Sequence, residues 1–293
     1  MEKNFGTGWG NRCFRRTGDR AMDNRPIGVF DSGVGGLTAV RQLIQLLPNE
    51  DIIYFGDTGR VPYGGRSKEI LVKYARQDVA FLTQFDLKAI VVACGTISST
   101  ALELLTQEND IPILGVVEPA AAAAVRTTRN GRIGVVGTSA TIRSGAYEAA
   151  IHRLRPDIAL ESRACPLFVP LVENGRVARG DRVVEQVTSE YLAPLRDAGV
   201  DTLVLGCTHY PLLETVIGDY MGSGVTLIDT GRECAAALAR LLEMENALCA
   251  RRDAPGERRY YVSDSAEDFA SLAAIFLGDD VAGKVEHVTI EAY

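Results

Sequence analysis

The feature that most limits what this chain can become is a recurring unit. A short apolar run rich in β-branched residues stops at a small or polar residue and opens into a helical pattern. Ala89–Ala93 shows it plainly: it reads as a strand buried on both faces, ends in Cys94-Gly95-Thr96, and passes through Ser/Thr residues into a helix from about Ser98. Pro26–Phe30, Asp51–Phe55 and Ile111–Val117 are further strands of the first half. Arg132–Val136, Ile158–Ala164, Thr202–Leu205 and Val225–Ile228 belong to the second half, and Arg259–Val262 and Val285–Ile290 to the tail. Helices are expected between them, among them Ser67 to about Phe85, about Arg143 to Leu154, and Asp181–Ala198. Pro166–Gly175 reads as a proline-interrupted apolar loop. Strands alternating with helices at this spacing predict parallel sheets covered on both faces. Such sheets bind ligands beyond the carboxyl ends of their strands, so function is sought in the loops after each strand.

Composition narrows the classes. The 293 residues are 46% hydrophobic and 24% charged, with net charge −7. That is a soluble globular balance, with length for two modest domains. The acidic sign argues against nucleic acid or an anionic membrane as partner, and no apolar run approaches a membrane span. Six cysteines in this length do not make a disulfide scaffold, and no pair shows zinc-site spacing, so no metal is expected and a reducing, cytoplasmic setting is. Residues 1–24 stand apart, with Arg12, Arg15, Arg16 and Arg20 and no periodicity. They read as an extension, a mobile arm or residues ahead of a start at Met22, and not as a secretory signal.

Two pairs of segments echo each other at similar separations. Arg25–Phe30 resembles Gly131–Val136, and Ala89–Thr96 resembles Thr202–Thr208. The echo predicts two pseudo-symmetric parallel-sheet α/β lobes, residues 25–118 with 229–293 and residues 119–228, facing each other across a cleft. Cys94 and Cys207 then approach that cleft from opposite sides. Alone, a cysteine at a strand end is ordinarily a small buried hydrophobe. A helix N-terminus beside it favours thiolate. Inverting a carbon by moving its proton needs a base on one face and an acid on the other, and a thiolate and a thiol can exchange those roles.

Five blocks in order carry a specific resemblance. They are Asp31–Leu37 (DSGVGGL), Pro62-Tyr63-Gly64, Ala93–Thr96, Val169–Glu173 and Gly206–Pro211 (GCTHYP). Together they resemble the glutamate racemase family over roughly Pro26 to Leu277. The resemblance implies a cofactor-independent isomerase, often homodimeric, that supplies D-glutamate for peptidoglycan. It implies Cys94 and Cys207 as the acid/base thiols, with Asp31, Glu173 and His209 assisting proton transfer. It also implies a small-molecule substrate, glutamate, held by Asp31, Ser32, Tyr63, Gly64, Gly95, Thr96, Thr208 and His209. Gly95 departs from the commoner Cys-Asn-Thr, so an amide is missing that backbone N–H, water or Ser98/Ser99 is expected to replace.

The residues themselves leave other readings open. Gly33-Val34-Gly35-Gly36 lacks the endings of nucleotide loops and alone is a tight turn. Asp31 could cap the following helix. Cys13, Cys165, Cys234 and Cys249 read as inert, and His152 and His287 as structural or surface residues. None of Lys3, Lys68, Lys73, Lys88 and Lys284 is placed for a pyridoxal Schiff base. An aspartate or broad-specificity racemase, a non-catalytic amino-acid-binding protein and a Cys94–Cys207 redox protein are the competing functions.

Overall fold

The computed structural model describes residues 23–251, 254–278, 281 and 284–293. The expectations for residues 1–22 and Cys13 lie outside them. Among the described residues the strands are β1 (Ile27–Asp31), β2 (Ile52–Gly56), β3 (Ala89–Val92), β4 (Ile113–Gly115), β5 (Arg132–Gly137), β6 (Ala159–Ala164), β7 (Thr202–Leu205), β8 (Thr226–Asp229), β9 (Arg258–Val262) and β10 (Val285–His287). They form two parallel sheets, ordered β10-β9-β2-β1-β3-β4 and β6-β5-β7-β8. The α/β expectation therefore holds.

The internal echo is structural as well. The block β2-β1-β3-β4 and the block β6-β5-β7-β8 have the same strand order. In each, the first strand of the unit pairs with the second on one side and the third on the other. The strand order reverses there, so a crevice opens between the loops that follow β1 and β3, and likewise between those after β5 and β7. β9 and β10 extend only the larger sheet.

The apolar runs are strands because both faces are covered. β1, β2, β3 and β7 are buried along their whole length. β6, at a sheet edge, is polar (ALESRA) and mostly exposed, the usual protection of an edge strand. At the opposite end of the first sheet from the cleft, Lys88 is buried and pairs with Glu50 at 2.5 Å. Its ammonium also donates to the carbonyls of Asp23 (2.7 Å) and Ala247 (2.9 Å). Removing one partner of such a pair costs about 3–5 kcal/mol. Lys88 is a structural tie.

Four local expectations are corrected. Phe168–Glu173 is a helix, not a loop, because Pro170 sits in its first turn, where its missing N–H breaks no bond. The helix expected from about Arg143 to Leu154 begins only at Ala146, after Gly145 with φ +67, and a separate short helix, Ser139–Arg143, precedes it. Asp31 does not cap the helix Leu37–Leu46, which has no side-chain cap. Its Oδ2 takes the N–H of Gly33 at 3.0 Å instead. The expected strand 285–290 ends at His287, and Ile290–Ala292 turns as a 3-10 helix.

Candidate active site

The strand ends deliver two walls. On the first, Asp31 closes β1 and is wholly buried. Cys94 follows β3 as the N-cap of a helix that already begins at Gly95 and runs to Thr100. Its thiol donates to Ser32 Oγ across 3.7 Å. Burial pushes the Cys94 thiol up to about 12, and the neighbouring Asp31 adds to the rise against the N–H groups of Ile97 and Ser32. The thiolate-favouring setting expected from a helix N-terminus is thus outweighed: the group is a thiol. Asp31 is itself raised above the usual carboxylate range by burial, opposed by His209 and by nearby backbone N–H groups.

The second wall is charged differently. Cys207 follows β7, and its Sγ lies 3.8 Å from His209 Nδ1. His209 Nε2 lies 2.9 Å from Glu173 Oε1, on the last residue of the helix Phe168–Glu173. The Phe276 ring meets the imidazole edge-on, with centroids 5.2 Å apart. Burial opposes a charge on His209, but the bonds to Cys207 and Glu173 outweigh it and raise the imidazole to about 10. At neutral pH it is an imidazolium.

Both walls open on one cavity of about 430 Å3. Cys94 and Cys207 line it together, with Ser32, Thr96, Thr208 and Glu173 around them. Gly64, Gly95 and His209 also line it, so all the expected site residues except Asp31 border the same space. Asp31 sits behind, reaching the site through its charge on Cys94. Tyr63 lines the cavity, but its hydroxyl donates to Asp57, not inward. The phenol is therefore engaged within the protein, and does not point its hydroxyl into the cavity. Ser98 and Ser99 do not replace the missing amide. Ser98 Oγ bonds Val92 O and Val116 N, and Ser99 Oγ bonds Thr96 O. Gly95 is itself forced: a Cβ there would run into the carbonyl oxygen of Gly206, where the two walls meet.

Sequence reasoning missed Thr138 and Ser139, which line the cavity after β5. Thr138 Oγ1 lies 3.0 Å from Thr96 Oγ1 and 3.0 Å from Thr141 Oγ1, a hydroxyl chain crossing between the lobes. The signal was available. The segment echo pairs β5 with β1, so Thr138-Ser139 falls where Ser32-Gly33 falls in the other lobe.

Two like-folded parallel-sheet units sharing a cavity with a thiol on each side define a two-lobed α/β protein with its candidate site between the lobes. Residues 60–239 match the family model described as Asp/Glu/Hydantoin racemase. A glutamate racemase of Geobacter metallireducens is 49% identical over 272 residues, 92% of this chain and 99% of that protein. The crystal structure of the Francisella tularensis glutamate racemase in complex with D-glutamate is 40% identical, with a TM-score of 0.85, covering 93% of this chain and 100% of that one. The RacE1 isoform of glutamate racemase from Bacillus anthracis matches at 40% identity and a TM-score of 0.85 over 91% of this chain and 98% of its own. The chain belongs to the Asp/Glu/hydantoin racemase family and groups within it with the glutamate racemases.

Proposed function

We infer that this protein interconverts L-glutamate and D-glutamate. The observation that carries the reading is the pair of thiols, delivered by equivalent strand ends of two like-ordered sheets, on opposite walls of one cavity. Close similarity to glutamate racemases supports glutamate as the substrate.

The proposed chemistry uses two bases. In the L-to-D direction a deprotonated Cys207 takes the α-proton: the Cα–H bond breaks and an S–H bond forms. Cys94, held as a thiol, gives its proton to the opposite face of the same carbon. D-glutamate runs the reverse. The assignment of each thiol to an enantiomer follows the family resemblance, and the contrast between the two walls supports it. His209 carries its positive charge 3.8 Å from Cys207 Sγ, while burial, with Asp31 adding to it, keeps Cys94 protonated. Charge built on the α-carboxylate as the proton leaves is met by preorganised donors, the hydroxyls of Thr96 and Thr208 and the N–H groups of the strand-end turns. Ser32, the backbone of Tyr63-Gly64 and Gly95 complete the proposed contacts, and Glu173 acts through His209. The scheme needs no cofactor. We further propose that the protein works in the cytoplasm as a homo-oligomer and feeds D-glutamate to peptidoglycan assembly. A reducing compartment suits a site that needs both sulfurs free.

The test is incubation with L-glutamate in deuterated water without pyridoxal phosphate, reading enantiomer ratio and Cα label together. Racemic product with deuterium at Cα is expected. Binding without label would reduce the protein to an amino-acid-binding relative, and faster turnover of aspartate would move it to the sister activity.

A further inference from the structure

The segment Val61–Gly65 forms one side of the cavity, yet it belongs to no helix or strand. Its fixed points lie just before it and beneath it. Arg60, at the end of a single 3-10 turn, is mostly buried and spreads its guanidinium over three partners. Nε bonds Asp57 Oδ2 at 2.6 Å, one terminal nitrogen bonds Gln77 Oε1 at 2.6 Å, and the other bonds Asp78 Oδ1 at 2.9 Å. The cation also lies 4.2 Å from the centre of the Tyr74 ring. Both carboxylates are wholly buried. Asp57 follows β2 and takes the Ser263 hydroxyl at 2.7 Å, while Asp78 lies on the helix Lys68–Leu82. Tyr63 donates its hydroxyl to Asp57, which ties the loop into the same knot. At the far end of the loop, Gly64 O accepts the N–H of Ala140 from the other lobe at 3.0 Å.

Two buried carboxylates this close repel each other, and a cation between them is what makes the pair tolerable. Burial and Asp57 drive Asp78 well above the carboxylate range, and Arg60 pulls it back. A lysine could not replace this fork, since a point charge cannot bond three separated acceptors and stack on a ring at once.

We propose that Arg60 is a positioning residue for substrate binding: by clamping Asp57, Gln77 and Asp78 it holds Val61–Gly65 where the Tyr63-Gly64 backbone meets a substrate carboxylate and Gly64 reaches Ala140. The assignment of a carboxylate to this loop rests on the glutamate reading above; the clamp itself does not. Arg60 touches neither thiol, so it governs binding and leaves the proton transfers alone.

Arg60→Gln, Arg60→Lys and the milder Gln77→Ala are to be compared by steady-state kinetics in both directions and by amide hydrogen exchange. For Arg60→Gln the expected result is a KM raised about tenfold for both enantiomers with kcat within about threefold, the pattern of lost uniform binding. Exchange should quicken over 61–65 and at Ala140 while β1, β3 and β7 keep their protection. Gln77→Ala should show the same split more weakly, and Arg60→Lys should fall between wild type and Arg60→Gln. If Arg60→Gln unfolds, Gln77→Ala decides. Unchanged KM and exchange in the folded variants would overturn the proposal, and so would kcat falling at constant KM. Faster loop exchange in a protein that fails to racemise glutamate even as wild type would uphold the clamp and sink the substrate reading instead.

Discussion

The two walls of the cleft occupy equivalent places in equivalent sheets, and they are not chemically alike. Cys94 sits among a buried carboxylate, a serine hydroxyl and backbone N–H groups, and its thiol is pushed up to about 12. Cys207 sits beside an imidazolium whose bonds to Cys207 and Glu173 hold it at about 10 against the effect of burial. Strand order sets where a side chain arrives. The loops that follow set which proton it carries, and those loops have diverged: Asp31-Ser32 on one side, Thr208-His209 with Glu173 on the other.

Removing either sulfur should break the comparison most severely. Cys94→Ser and Cys207→Ser should each lower racemisation at least about a hundredfold, within the range for losing a general acid or base. Each should still exchange the α-proton of one enantiomer, a different one in each variant, as deuterium uptake would show. Full racemisation by Cys94→Ser would refute two-base transfer. Gly95→Ala tests where the walls touch. Its Cβ meets the Gly206 carbonyl, a backbone group that cannot swing aside. A loss of about 1–3 kcal/mol in denaturant unfolding is expected from the overpacking. A rate loss of up to about a hundredfold should accompany it as the thiols move out of register.

Glu173→Gln sharpens the second wall. The raised His209 pKa gives stability that is fully present below the unfolded value of about 6.5 and is lost as pH rises through about 10. Without the carboxylate the loss should be smaller and complete at lower pH, seen as a downward-shifted imidazole titration by NMR and a Tm that levels off earlier on the alkaline side. Asp31→Asn is the mildest test and addresses the first wall. Removing the charge should lower the Cys94 pKa, read as faster alkylation at fixed pH in a Cys207→Ser background. Unchanged alkylation would mean that burial alone sets the thiol.

Much of this was legible in residues. Ala89–Ala93 and Thr202–Leu205 announce buried strands by composition, and the glycine- and cysteine-bearing ends announce the loops that matter. The repeat located the cleft and, followed one step further, also gives Thr138-Ser139. What the residues hid depends on contacts between distant parts of the chain. Nothing near Tyr63 says that its hydroxyl turns to Asp57, because the knot is closed by Asp78 and Ser263 from elsewhere. Nothing near Cys94 says that desolvation beats the pull of a six-residue helix. The proline in Phe168–Glu173 looked like a breaker only because the helix start was not yet known.

The matched strand orders carry a kinetic corollary. In the proposed two-thiol transfer each turnover leaves the protonation of the two sulfurs reversed, so the protein that releases D-glutamate is the mirror-loaded form of the one that took up L-glutamate. Because the walls are furnished unequally, these two empty forms differ in free energy. Whichever form turnover leaves has to reset through solvent before it can meet the same enantiomer again, and at saturating substrate that reset competes with the chemistry for control of the rate.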